Sequence, residues 1–200
     1  RRGAETAIAS DVRRLNDALA GVARMNEAIM SVTTSGRDAS ALMDQRQQLI
    51  DSIAGIVPLR EIDRGHGQVA LYTTGGAVLL DGVTPAVIGF QPAGLIVAEM
   101  SVASGALSGL TLNGRPVTAA ALAGGSLTAQ FALRDELAPS AQADLDALAR
   151  DLVERFQPGP DPTVPAGGAG LFTDTGLPFD PADETGLSGR LQLNAAVDPA

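Results

Sequence analysis

Residues able to do chemistry are few in this sequence, and their settings do not suit it. The single histidine, His66, stands between Gly65 and Gly67. A Ser-His-Asp or Cys-His centre needs an imidazole held by packing and oriented by a carboxylate, and a glycine-flanked hairpin tip supplies neither. The run Ala166-Gly167-Gly168-Ala169-Gly170 has the glycine content of a phosphate cradle. A P-loop also requires a lysine followed by Ser or Thr, and the chain has no lysine, so the run reads as a linker. Asp174, Asp180, Asp183 and Glu184 lack the alternating ligands and closing bidentate glutamate of a calcium loop; they read as a solvated acidic loop. Asp135-Glu136, Asp144 and Asp146 read as charges on helix faces, because paired carboxylates need a cleft to do acid–base work. The expectation is no catalytic site, no cofactor site and no metal site.

A different kind of polar feature lies in Asp44-Gln45-Arg46-Gln47-Gln48-Leu49-Ile50. Arg46 interrupts the apolar positions Leu42, Leu49, Ile53 and Ile56 of a helix expected to run from an Asp38 N-cap to about Ala54, closed by Gly55 and stopped by Pro58. The preceding helix, residues 5–32, carries Ile8, Leu15, Val22 and Ile29 every seven residues, with Val12, Leu19 and Asn26 four residues after the first three. That 4-3 spacing marks a coiled-coil-like seam. Folding the two helices back about Ser35-Gly36 sets Val22 against Leu49, Leu19 against Ile53, and Asn26 against Arg46. The polar pair Asn26 and Arg46 is therefore expected to fix the register of the hairpin. A one-turn slip would bury arginine donors without acceptors, at a cost of several kcal/mol, about 2–7 for an uncompensated polar group.

The seam then gives way to short strands. Val57–Ile62, Gln68–Thr73, Ala77–Leu80, Ala86–Phe90, Leu95–Ala103 and Leu110–Leu112 are short apolar or alternating runs. Turn signals separate them, with Asn113-Gly114 the strongest. Residues 57–128 read as an antiparallel β domain of about five to seven strands, inserted in a helical domain made of 1–56 and 129–200. Helix resumes over 129–157 with a stripe of Phe131, Leu133, Leu137, Ala141, Leu145, Leu148, Leu152 and Phe156, broken or kinked at Pro139. Pro158-Gly159-Pro160-Asp161-Pro162 begins a loop-rich segment over 157–200, with one late strand from Leu187 to Asn194. The fold class is α+β: an elongated helical hairpin or bundle domain with an inserted small antiparallel β domain.

Composition narrows the partners. A hydrophobic share of 45% argues against wholesale disorder. Residues 129–200 hold four arginines against twelve acids and supply nearly all of the net charge of −9. Such a surface repels phosphate backbones, so nucleic acid is not expected as a partner. There is no polybasic patch for a membrane surface and no apolar run near the ~20 residues that span a bilayer. Cysteine is absent, which excludes disulfides and thiolate metal sites and suits a cytosolic or an exported protein equally. The chain opens inside a helical pattern and reads as a trimmed fragment.

The helical residues also carry a family likeness. Leu42-Met43-Asp44-Gln45-Arg46-Gln47-Gln48-Leu49-Ile50-Asp51 resembles the "LLDQRDQLLDEL" stretch of the flagellar hook-associated protein 1 family, the hook–filament junction proteins. Ile56-Val57, Gly67-Gln68-Val69-Ala70-Leu71-Tyr72 and Gly75-Gly76 are similar to its "LV…G.V.V…GG" pattern. Gly125-Ser126-Leu127 and Leu133-Arg134-Asp135-Glu136-Leu137-Ala138-Pro139 resemble its "G.L.G.L..RD..LP" segment, and Gln142–Ala149 continue it. Gly170-Leu171-Phe172, Leu191-Gln192-Leu193-Asn194 and Asp198-Pro199 also fit. Two departures stand out. Phe156-Gln157-Pro158-Gly159-Pro160 replaces the family's Asn-x-x-His-x-x-Gly element, and the family's terminal helices are absent.

The resemblance implies a structural subunit with no catalytic activity and no cofactor, exported through the flagellar secretion apparatus to the extracellular flagellum. Its implied partners are further copies of itself in a ring, the hook protein, the adjacent junction protein and, for the full-length chain, an export chaperone. Modest contacts repeated around a ring add through multivalency, and the fragment without terminal helices is expected to be largely monomeric. The competing reading is a secreted or phage-type fibre or adhesin fragment that binds a ligand through its β domain; an enzyme ranks third.

Overall fold

Heptad-spaced aliphatic residues make the first element. Helix α1 spans Arg2–Thr34, and its seam residues Ile8, Leu15, Leu19, Val22 and Ile29 are fully buried. The computed structural model describes residues 1–157 and 167–197. The proline-rich loop expected at 158–162, the start of the glycine run at Ala166, and Asp198-Pro199 lie outside the described residues.

Helix α2 spans Ser40–Ile56. Its formal N-cap is Ala39 rather than Asp38, but the Asp38 carboxylate still does the capping, accepting the Ser40 backbone N–H at 3.0 Å and the Ser40 hydroxyl at 2.5 Å. Those bonds hold the Asp38 carboxyl below its ordinary value. At the far end the expectation of a left-handed Gly55 fails. The helix runs through Gly55 to Ile56, and extended Val57 ahead of Pro58 ends it, because the residue before a proline is driven out of the helical region.

Seven strands follow: β1 (Leu59–Gly65), β2 (Gln68–Thr73), β3 (Val78–Asp81), β4 (Thr84–Pro85), β5 (Ile88–Gly89), β6 (Thr111–Leu112) and β7 (Arg115–Pro116). They form a four-stranded sheet in the order β1-β2-β3-β4 and a three-stranded sheet β5-β6-β7, antiparallel at every pairing. The two clearest turns are His66-Gly67 and Asn113-Gly114. All four residues have positive φ, 52° and 75° in the first turn and 50° and 77° in the second, as two-residue hairpin loops of the primed type require. The strand expected at Leu95–Ala103 is absent; that stretch makes turns. Alternating apolar residues alone do not make a strand without a neighbour to pair with.

Helix resumes with α3 (Gly125–Ala132), a π-helical turn at Leu133–Leu137 and α4 (Ala138–Arg155). The disturbance expected at Pro139 takes the form of that π turn. Proline has no N–H to donate four residues back, and its ring crowds the carbonyl there; a locally wider turn accommodates both. Last come β8 (Phe172–Asp174), α5 (Leu187–Arg190) and β9 (Leu191–Leu193). The single strand expected from Leu187 to Asn194 is thus half helix, and β9 pairs antiparallel with β8.

The chain divides into two compact units, residues 1–94 with 102–134, and residues 95–101 with 135–200. This differs from the expected β insertion at 57–128 within a helical domain. The reason is burial: Leu71, Leu79, Leu80 and Ile88 of the strands share one core with Leu15, Leu19 and Val22 of α1 and with Ile50 and Ile53 of α2. Strands that small cannot bury a core alone. The second unit has its own small core of Ala149, Val153, Phe179 and Leu187, with Phe172 and Leu191 packed on it. No helix among the described residues is long and apolar enough to cross a membrane.

Candidate functional site

Two buried polar nodes mark the ends of the α1 seam. Asn26 is 0% exposed and uses every hydrogen-bonding position it has. Its amide donates to the carbonyls of Val69 and Gly82, both at 2.7 Å. Its oxygen accepts the Val69 N–H at 3.3 Å and Arg46 Nη1 at 2.9 Å. Arg46 Nη1 also donates to the Gly67 carbonyl. The pair singled out for register therefore does meet, and it also reaches β2, the β1–β2 turn and the β3–β4 turn. Burial pushes the Arg46 guanidinium down from its ordinary value, and Glu61 and Asp63 act in the other direction. Arginine remains charged under such a shift. Gly67 sits close by because nothing larger fits: a Cβ there would lie 2.6 Å from Ile29 Cγ2.

The second node was not read from the sequence. Glu5 is 3% exposed and Arg134 0%. Arg134 Nη1 donates to Glu5 Oε2 at 2.8 Å, and Nη2 donates to the Ser108 carbonyl at 3.0 Å. Glu5 Oε1 accepts the Ala93 N–H at 2.7 Å. The guanidinium lies 4.7 Å from the centre of the Phe131 ring, a cation–π distance, and Phe131 meets Phe90 edge to face. A signal for this node was present. Glu5 stands seven residues before Val12, which stands seven before Leu19 and fourteen before Asn26. The same seam position is thus polar at both ends, and each polar end takes a buried arginine. Between them Asn16 imitates a strand neighbour, donating to the Ile88 carbonyl at 2.8 Å and accepting its N–H at 2.9 Å.

In the second unit the acids read as a solvated loop are tied down. Asp174 takes Arg190 side-on, through Nε and Nη2 at 2.8 Å each. Glu184 takes Arg150 Nη1 at 2.8 Å to both oxygens. Asp180 accepts the Ala182 N–H at 2.9 Å. Bonding to Arg190 outweighs desolvation and holds the Asp174 carboxyl below its usual range, while the same bond raises Arg190. Asp146, expected on an exposed helix face, is 3% exposed instead. It accepts the N–H groups of Gly186 at 2.7 Å and Ser188 at 2.9 Å, and the Gln142 amide at 2.8 Å. Burial raises its pKa, but the bonds from Ser188, Gly186 and Gln142 together outweigh burial and leave it lowered. Asn194 holds the Gly170 carbonyl at 2.9 Å, joining the two late motifs of the family resemblance.

These groups fasten chain segments to one another. Every buried side-chain nitrogen or oxygen among the described residues has a hydrogen-bond partner. His66 is exposed at its hairpin tip, where its carbonyl accepts from Thr33. No group of three or more His, Asp or Glu residues among the described residues is placed to hold a metal ion.

Comparison with known proteins gives the family. Residues 1–159 match the model of the flagellar hook-associated protein FlgK helical domain. No curated protein matches. Among solved structures, the flagellar hook junction protein FlgK from Burkholderia pseudomallei shares the fold at a TM-score of 0.65 and 22% identity. That match covers 86% of this chain and 31% of the solved one, so this chain spans about a third of that protein's length. The family match covers well over half of the sequence, and the chain belongs to the flagellar hook-associated FlgK family through its helical domain.

Proposed function

We propose that this chain is the helical and β portion of a structural subunit at the junction between the flagellar hook and filament, with no catalytic activity. The observation that carries the reading is the family match over residues 1–159. That every buried side-chain nitrogen or oxygen among the described residues has a partner is consistent with it, because those groups are used in holding elements together. In this reading the full-length subunit is exported through the flagellar secretion apparatus to the outside of the cell, with an export chaperone. It contacts further copies of itself, the hook protein and the adjacent junction protein, and adapts one lattice to the other. Asn26 and Arg46 serve it as register residues, keeping α1, α2 and the first hairpins in one rigid arrangement.

The test is genetic. Deleting the gene in the motile bacterium that carries it should leave hooks without filaments, with filament protein released into the medium. Restoring the full-length gene should restore filaments. Normal filaments on the deletion strain would end the reading.

A further inference from the structure

Asn113 does two jobs in the three-stranded sheet. With Gly114 it makes the two-residue turn between β6 and β7, at φ values of 50° and 77°. It also extends the β5–β6 ladder. Ile88 pairs with Leu112 and Gly89 with Thr111, so Asn113 stands opposite Val87. The Asn113 N–H donates to the Val87 carbonyl at 2.8 Å, which is one of the two bonds an antiparallel pair exchanges. The return bond is different. The Val87 N–H donates to the Asn113 side-chain oxygen at 2.8 Å, so the side chain takes the place of the backbone carbonyl.

These two residues also carry a chemistry of their own. Of the four asparagines, Asn113 alone precedes a glycine, whose nitrogen has no side chain beside it to hinder attack on the neighbouring amide. Both residues are exposed, and nothing lies within 4 Å of where a Gly114 Cβ would stand. The folded turn holds the reaction back. A five-membered ring closes only when the Gly114 nitrogen and the Asn113 Cγ lie on one side of the Asn113 Cα–C bond. The first central residue of a type I′ turn has ψ of about +30°, which sets the next nitrogen nearly opposite Cβ. The Val87 N–H meanwhile fixes the side-chain oxygen. Opening the turn removes both restraints. Strands β5, β6 and β7 are two residues each, so the sheet resists that opening weakly.

We propose that Asn113-Gly114 is a self-modification site whose rate is set by the Val87 clamp. When the turn opens, the Gly114 nitrogen gives up its proton and attacks Asn113 Cγ. The new C–N bond closes a succinimide ring. The bond from Cγ to the side-chain nitrogen breaks, and that nitrogen leaves as ammonia with the proton from Gly114. Water then adds to one of the two ring carbonyls. Cleavage on one side gives aspartate and on the other isoaspartate, and water is the one co-reactant. The two products differ in consequence. Aspartate keeps an oxygen for the Val87 N–H. Isoaspartate runs the backbone through the former side chain, which lengthens a turn built for two residues and takes the clamping oxygen away. The β6–β7 hairpin and its hold on Val87 are then lost. Nothing in this chemistry depends on the structural-subunit role.

Peptide mapping by mass spectrometry tests this on the 200-residue chain stored in warm, mildly alkaline buffer. Asn113 should convert to the acid, while Asn16, Asn26 and Asn194 stay intact as internal controls. Enzymatic methylation of the same peptide reports its isoaspartate. In urea that unfolds the chain, conversion at Asn113 should be at least tenfold faster, about 1.4 kcal/mol for opening the turn. Val87→Pro deletes the clamping N–H and should raise the native rate toward that limit. Asn113→Asp should keep the hydrogen-exchange protection of the Val87 amide, and the isolated isoaspartate form should lose it. Three results would overturn the proposal: an Asn113 that stays intact in urea, equal rates in urea and native buffer, or a Val87→Pro variant with wild-type circular dichroism and a wild-type rate. If Val87→Pro does not fold, the comparison of native and unfolded rates decides by itself.

Discussion

Asn26 occupies a position that a coiled-coil reading would assign to leucine, and its environment explains the choice. Two carbonyls, one N–H and one guanidinium converge on it, so an apolar residue would leave several groups buried without partners. Asn26→Leu should cost about 3 kcal/mol or more, since each orphaned buried group costs about 1–3 kcal/mol; urea unfolding followed by circular dichroism measures it. In a double-mutant cycle with Arg46→Met the two losses should fall short of adding, because both variants remove the same bond. At the other node Arg134→Met should cost about 3–5 kcal/mol by leaving Glu5 buried and unpaired. The Glu5→Leu, Arg134→Met double variant should be more stable than Arg134→Met alone. A double variant less stable than wild type would show that the buried pair is a net source of stability. The carboxylates of the second unit give a pH prediction. Asp146 and Asp174 have folded-state pKa values below their ordinary 3.8. Their stabilising contribution is complete above that value and is lost as pH falls below it toward the folded pKa. Hydrogen exchange of the amides in 186–190 should therefore accelerate as pH drops through that window, after correction for intrinsic rates, and Asp146→Asn should flatten the change.

At the scale of elements, local chemistry and tertiary demand can be separated by two glycines. Gly55 lies inside α2, where an added Cβ meets nothing within 4 Å. Gly55→Ala should raise stability by up to about 1 kcal/mol through helix propensity alone. Gly125 has φ of 68°, and a Cβ there would fall 2.2 Å from the Ile56 carbonyl oxygen. Gly125→Ala should destabilise by more than the ~1 kcal/mol of left-handed strain, because the start of α3 must also move away from the end of α2. Thermal melts of both variants decide it, and the opposite signs are the expected result. The π turn before Pro139 belongs to this scale too: a locally wider turn over Leu133–Leu137 accommodates the proline's missing N–H and its ring.

For the whole molecule, charge is divided very unevenly between the two units. Residues 135–200 carry twelve acids against three arginines, while the first unit is close to balance. Self-repulsion of that kind is screened by salt. Moderate salt should therefore stabilise the second unit more than the first, visible as hydrogen-exchange protection rising in 171–194 while the α1 core changes little. Equal changes in both units would count against it.

Periodicity and turn residues by themselves determined much of this protein. The α1 seam, α2, and the primed turns at His66-Gly67 and Asn113-Gly114 follow from local spacing, because each depends on residues that one short element repeats or places side by side, and the meeting of Asn26 with Arg46 follows from folding two such spacings back about one turn. What only the tertiary structure decided is where long-range partners lie. Arg134 bonds Glu5 across most of the chain, Asp146 caps α5, and the strands share a core with α1 rather than forming a domain apart. These depend on which surfaces are left to bury once the local elements exist, and hydrophobic burial is non-directional. Sequence spacing encodes a direction along one helix or strand and carries no record of the element that will cover it.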